Sequence, residues 1–261
     1  MPNIEEVKKY YDEHISSKLG GFVNGNERVE RAWLTIFEHS IQPDRILEIG
    51  CGIGDICWRM SRHWLKANVV GLDVSSKSIE VANQLFGSDK IMFSEGLLAK
   101  GKLEGKFDLI VLMDVYEHIA VTDRTVVHDA IKNLLTPNGR VILSFPAPRH
   151  LSWLKKKSPE HIQPVDEDIT IDTISQLAKD IDKEVLLYKE VSVWHIGDYA
   201  HAVLGSRHEW VLESDRPQPT RGLKYMIKRK IKEKIFGTPP PLVPPKEEKK
   251  ILVKNKLGID L

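Results

Sequence analysis

The sequence predicts an α/β fold, a doubly wound and largely parallel sheet with helices on both faces. Three observations predict it. Short apolar runs alternate with amphipathic stretches of helical period between residues 45 and 194. The first run, Arg45-Ile-Leu-Glu-Ile49, enters a turn carrying Gly50, Gly52 and Gly54, which lets backbone approach a ligand where side chains would collide. The second, Asn68-Val-Val-Gly-Leu-Asp73, ends on an acid about 20 residues further on, where a carboxylate takes ribose hydroxyls.

Taken in order, residues 4–19 read as a helix with apolar or aromatic positions at 4, 7, 10, 11 and 15. A second helix is expected over 26–41, after a break at Gly20-Gly21. Strands follow near 45–49, 68–73, 90–94, 107–113 and 139–145, with helices near 55–65, 76–86 and 122–135. Thr136-Pro-Asn-Gly139 is a turn signal before the fifth strand. Residues 170–182 read as a helix and 184–194 as a sixth strand.

The 261 residues are ample for a substantial core. With 41% hydrophobic and 29% charged residues and a net charge of +1, the chain has the composition of a soluble globule. No run of 18 apolar residues is present, so no transmembrane helix is expected. The first residues lack a basic-then-apolar leader. A disulfide between the only cysteines, Cys51 and Cys57, would distort the glycine turn, so reduced thiols in a cytoplasm are expected.

Spacing narrows the ligand of the turn. A dinucleotide fingerprint needs a third glycine at position 55, which is Asp, and the frame starting at Gly52 ends on Cys57. Asp55 and Glu48 would repel a pyrophosphate. The charges suit a ligand with a ribose and cationic groups, such as S-adenosylmethionine; a bare structural turn is the alternative.

At this point Glu48-Ile-Gly-Cys-Gly-Ile-Gly54, Val70-Gly-Leu-Asp-Val74, Phe107-Asp-Leu-Ile-Val111 and Leu135-Thr-Pro-Asn-Gly-Arg-Val-Ile-Leu143 can be read together. In order and spacing they resemble the class I S-adenosylmethionine-dependent methyltransferases, over about residues 45–146. The motif pattern is nearest to the O-methyltransferases of ubiquinone biosynthesis. The resemblance implies a Rossmann-like seven-stranded sheet with an antiparallel last strand. It implies donor contacts from Glu48, Gly50, Cys51, Gly52, Gly54, Asp73, Val74, Glu95, Gly96, Leu97, Met113 and Asp114. Many relatives carry Gly-Asp after the third strand, but here the pair is Gly96-Leu97, so Glu95, Leu97 or backbone must meet the adenine.

The best match to a seventh strand is Lys250-Ile-Leu-Val-Lys254. The expected organisation is therefore helices over 1–44, a core over 45–194, an insertion over 195–248 and the last strand within 249–261. A flexible appendage is the competing view, supported by Pro239-Pro-Pro-Leu-Val-Pro-Pro245. Within the insertion, residues 221–236 carry seven basic residues and Glu233, a charge of +6 against −5 for the rest. Leu223, Ile227, Ile231 and Ile235 recur every four residues, giving a basic amphipathic helix. It suits packing with a solvated basic face, or peripheral docking on an anionic membrane; nucleic-acid binding is the least favoured use.

A second constellation, Asp114-Val-Tyr-Glu-His118, follows the fourth strand, at the sheet end where ligands bind. On a helical turn Asp114, Glu117 and His118 would face one way and, with His161, could hold Mg or Mn. The resemblance reaches metal-assisted relatives that carry Glu-Val-x-Glu-His here, with Glu where this chain has Asp114. Without a metal, His118 or His161 would be the general base for a hydroxyl. Asp166, Glu167 and Asp168 lie near, and Arg149, His150, Trp153 and Lys155–Lys157 are placed at the mouth. Trp194, His195, His201 and Trp210 suit either a carbohydrate or aromatic site or core packing. The expected activity is O-methylation of a hydroxyl on a small molecule or saccharide-containing intermediate. N-methylation of an amino sugar or other amine, and a noncatalytic donor-binding scaffold subunit, are the alternatives. The oligomeric state is not legible.

Overall fold

The computed structural model describes residues 8, 11–40, 42–98, 103–163, 165–207, 227, 231 and 244–261. A central sheet is built from β1 (Arg45–Ile49), β2 (Asn68–Asp73), β3 (Ile91–Glu95), β4 (Phe107–Met113), β5 (Leu135–Pro146), β6 (Glu184–Val191) and β7 (Tyr199–Gly205). Their order is β3-β2-β1-β4-β5-β7-β6, parallel except for β7, which runs antiparallel to β5 and to β6. The helices are α1 (Ile15–Asn24), α2 (Glu27–His39), α3 (Asp55–His63), α4 (Ser76–Phe86), α5 (Arg124–Leu134), α6 (Pro148–Lys157), α7 (Ile171–Asp180) and α8 (Lys246–Leu257).

Alternation along each strand divides the core. Leu47, Ile110, Leu112 and Leu143 pack with Ile131 of α5 and Ile174 and Leu177 of α7. Their neighbours Ile46, Leu109, Val111 and Ile142 face the other way, toward Phe22, Trp33, Ile36, Met60 and Val253. Strands buried on both faces read as continuous apolar runs, which is why β1, β2 and β4 are plain in the sequence.

Several expectations change. Gly20 and Gly21 lie inside α1, because burial of Leu19, Phe22 and Val23 carries the helix through them. The break falls at Gly25, whose φ of 88° is open to glycine. Thr136–Gly139 bulges at the start of β5: Phe107 pairs with Leu135 and Leu109 with Arg140, so extra residues loop out on one side. The sixth strand stops at Val191.

The largest correction concerns the seventh strand, which is Tyr199–Gly205, within the expected insertion. Lys250–Lys254 lies inside α8, where only Val253 and Lys249 are buried. One buried position per turn is a helical pattern that a short apolar run does not distinguish from a strand. The segment 195–248 is therefore not an insertion between the last two strands. The basic segment 221–236 lies outside the described residues except for Ile227 and Ile231, which are helical and exposed. Trp210 and the proline run up to Val243 also lie outside them. Among the described residues no helix is long and apolar enough to cross a membrane. Both cysteines are free and buried.

Candidate functional site

The glycine turn sits where β1 delivers it, at the carboxyl end of the parallel strands. A Cβ on Gly50 would lie 2.1 Å from a Val115 methyl, so the turn is pressed against the segment leaving β4. At Gly52, φ +53°, the only atom near an added Cβ among the described residues is Lys18 Nζ at 4.0 Å. Asp73 accepts the Gly52 N–H at 2.8 Å on one oxygen and the Ser75 N–H at 2.8 Å on the other. Each carboxylate oxygen keeps a further lone pair for a ribose hydroxyl. Gly96 N–H donates to the Asp73 carbonyl, which brings Glu95 and the exposed Leu97 to the same rim; Val74 continues from Asp73. Cys51, in the turn itself, is buried, with its thiol pushed up by burial.

Glu48 is placed differently from the sequence expectation. Its carboxyl lies beneath the turn, 3% exposed, and accepts from the Cys57 thiol at 2.8 Å. Burial raises its pKa to about 8.

At the end of β4, Met113 is half-buried and Asp114 takes the left-handed conformation, φ 55°, a strained setting for a non-glycine residue. Asp114 Oδ2 pairs with Arg28 Nε of α2 at 3.1 Å, and Arg28 donates to the Tyr199 hydroxyl at 3.3 Å. Burial raises the Asp114 pKa against the pull of Arg28. Arg28 is itself raised, first by Asp114, and the Tyr199 phenol is pushed up by burial. Residues 116–118 form one 3-10 turn. Asp114 precedes it, so Asp114, Glu117 and His118 do not share the helical face expected for them.

His118 is held from below. Its Nδ1 donates to the Val165 carbonyl at 2.7 Å and lies 3.1 Å from Asp166 Oδ1. Its Nε2 lies 3.8 Å from Glu117 Oε1. Burial alone would lower its pKa, but the Asp166 contact and the Glu117 charge raise it to about 9. Burial raises Glu117 to about 8. Glu117 Oε2 and Asp114 Oδ1 are buried with no hydrogen-bond partner among the described residues.

The expected cation site is not assembled among the described residues. Asp114 is turned to Arg28 and His118 to Asp166, and no group of three metal-binding side chains forms among the described residues. His161 lies in the 3-10 turn Pro159–His161, and its side chain is outside the described residues.

The outer rim has its own order. His150 stacks on Trp153 at 5.9 Å, with His195 at 6.0 and 6.1 Å from the two rings. Trp194 packs edge-on to Tyr199 at 5.8 Å. Arg149 bridges Glu190 and the Gly197 carbonyl, and Lys155 approaches Asp168 at 3.6 Å. His201 is instead a core residue, bonded to Thr35 at 2.8 Å, with burial lowering its pKa to about 4. Arg28, Tyr199 and Lys18 were not anticipated. Arg28 and Lys18 lie on helices whose sequence shows only an apolar stripe, and Tyr199 lay in the supposed insertion.

The described residues fit the methyl donor. Asp73 and Glu95 suit a ribose, and the orphaned Asp114 Oδ1 suits an ammonium.

Comparison with known proteins shows the family and the fold. The methyltransferase-domain family matches residues 21–187. A ubiquinone biosynthesis O-methyltransferase of Bartonella tribocorum is 36% identical over 115 residues, 42% of this chain and 42% of that protein. Its counterpart in Chelativorans is 38% identical over 106 residues, 38% of this chain and 39% of the relative. The chain thus spans less than half the length of these curated relatives. Among solved structures, magnesium protoporphyrin IX methyltransferase from Synechocystis with bound S-adenosylhomocysteine superposes with a TM-score of 0.60 at 18% identity. That match covers 78% of this chain and all of the other. A glycopeptide N-methyltransferase complexed with S-adenosylmethionine gives a TM-score of 0.55 at 13% identity, over 70% of this chain and 95% of its own.

Proposed function

This chain belongs to the methyltransferase-domain family, within the class I S-adenosylmethionine-dependent methyltransferases, and from that premise we propose that it methylates a hydroxyl. The acceptor is a small molecule or a saccharide-containing intermediate. When bound, S-adenosylmethionine supplies an activated sulfonium methyl. The residues' own work is to hold the donor, align the acceptor oxygen and remove its proton. Glu48, Gly50, Cys51, Gly52, Gly54, Asp73, Val74, Glu95, Gly96, Leu97, Met113 and Asp114 form or support the donor side, Glu48 from beneath. The O-methyltransferase names of the sequence relatives support the hydroxyl reading.

The observation that carries the proposal is His118. Its Nδ1 is occupied by Val165 and Asp166, which fixes the ring and leaves Nε2 for the acceptor proton. His161 is the second candidate base. With His118 near pKa 9, the base form grows as pH rises, so turnover should climb through neutrality and level off near pH 9. A labelled-methyl assay across phenols, sugars and amines tests this. His118→Asn should lower kcat about 100-fold with donor affinity unchanged, and no transfer to any acceptor class would overturn the enzyme reading. The orphaned Glu117 Oε2 favours one second reading, an amine acceptor held by that carboxyl; methylation confined to amines would establish it.

A further inference from the structure

The segment preceding α1 is helical at residues 11–13 and reaches two sites at once. Toward the donor, Ser75 Oγ donates to Asp12 Oδ1 at 2.6 Å, while Ser75 N–H donates to Asp73. Ser75 is thus shared between this segment and the ribose acid. Lys18 Nζ donates to Ser78 Oγ at 3.0 Å, and Ser78 N–H returns to Ser75 Oγ. Lys8 pairs with Glu95 at 2.6 Å.

Toward the acceptor, Tyr11 Oη donates to Gln163 Oε1 at 2.7 Å. Gln163 N–H donates to Asp166 Oδ2 at 2.8 Å, and the other oxygen of that carboxylate lies 3.1 Å from His118 Nδ1. One run of helix therefore connects Asp73 to His118 through short polar contacts on both sides. The described residues of 162–169 lie in no strand or helix; the Glu167 N–H donates to the Glu117 carbonyl at 2.9 Å, and the contacts with Gln163 N–H and His118 orient the Asp166 carboxylate.

We propose that residues 11–18 couple the donor site to the imidazole, with Tyr11 and Gln163 as positioning residues that set His118 through Asp166. The proposal rests on the reading of His118 as the base. Donor at Asp73 engages Ser75, Ser75 holds Asp12, and the same segment presents Tyr11 to the acceptor loop. The acceptor-side geometry is then completed when the donor is in place, which limits encounters between the acceptor and an unloaded site.

The test is histidine NMR on the full chain, with S-adenosylhomocysteine as the probe and the His118 signals identified by His118→Asn. Saturation should shift the His118 ring signals of the unmodified protein. Tyr11→Phe and Gln163→Ala should abolish most of that shift, while the calorimetric Kd for the probe changes less than about threefold, as for loss of a neutral hydrogen bond remote from it. Gln163→Glu keeps an acceptor oxygen for Tyr11 and should retain the shift, which a general loss of packing would not allow. An undiminished shift in both Tyr11→Phe and Gln163→Ala, or none in the unmodified protein, overturns the proposal. Full turnover in His118→Asn would remove the base assignment and leave the coupling standing, so the two readings fail separately.

Discussion

Glu48, Glu117 and His118 share an electrostatic signature. All three hold a proton more tightly in the folded protein, at about 8, about 8 and about 9. A raised folded pKa stabilises below the unfolded value and loses that stabilisation as pH rises through the folded one. At these three groups the folded state therefore binds more protons between about pH 4.5 and 9, outweighing His201, whose lowering to about 4 acts the other way below about 6.5, and stability should fall across that window. Melting curves from pH 5 to 9 should show a declining midpoint. Glu48→Gln keeps an acceptor for Cys57 and should flatten part of the decline; an unchanged slope would relocate Glu48 to a solvated setting. Asp73 has the opposite kind of task, joining the turn to the ligand. Asp73→Ala should weaken S-adenosylmethionine binding by calorimetry at least about tenfold, since two backbone donors and the ribose lose a charged acceptor. Both acids were visible in the sequence, but the direction each faces was not. Glu48 and Asp73 both end or nearly end apolar strands, and only packing sends one beneath the turn and leaves the other at its rim.

Among the elements, β1, β2 and β4 were legible because strands buried on both faces have uniform apolar runs. β7 was not. Tyr199-Ala-His-Ala-Val-Leu-Gly205 contains a histidine and two alanines, yet it lies between β5 and β6 with every position buried. Its alanines fit because helices cover both faces of the sheet. A proline tests its central place: Ala202→Pro removes a ladder donor in a strand paired on both sides and should prevent cooperative folding, read by circular dichroism. α8 was mistaken for a strand because Ile251, Leu252 and Val253 are contiguous, but only Val253 is fully buried. Val253→Ala should cost about 2 kcal/mol in denaturant unfolding, and Ile251→Ala, on the exposed side, much less.

Across the whole molecule, charge is organised around the donor turn. Arg59, with a side chain 1% exposed, makes bidentate contacts with both Asp55 and Glu30, joining α3 to α2. Lys249 of α8 is buried beside this group and lies over the Phe22 ring at 5.4 Å. Arg62 pairs with Glu248. Asp55, which disqualified a dinucleotide fingerprint, is thus also the anchor of a buried ion cluster; burial raises its pKa and Arg59 opposes that shift. Arg59→Leu leaves the half-buried Asp55 and Glu30 with only Lys249 nearby and should destabilise by about 3 kcal/mol in urea unfolding.

The meeting of α8 with α1 and α4 also sets an order in time. Residues 246–257 close over residues 15–24, so the earlier helix waits for one made more than two hundred positions later. Until then Phe22 lacks the cover that Lys249 gives it. Contacts this distant along the chain form slowly, so a nascent chain stalled before residue 246 should present that apolar flank to chaperones.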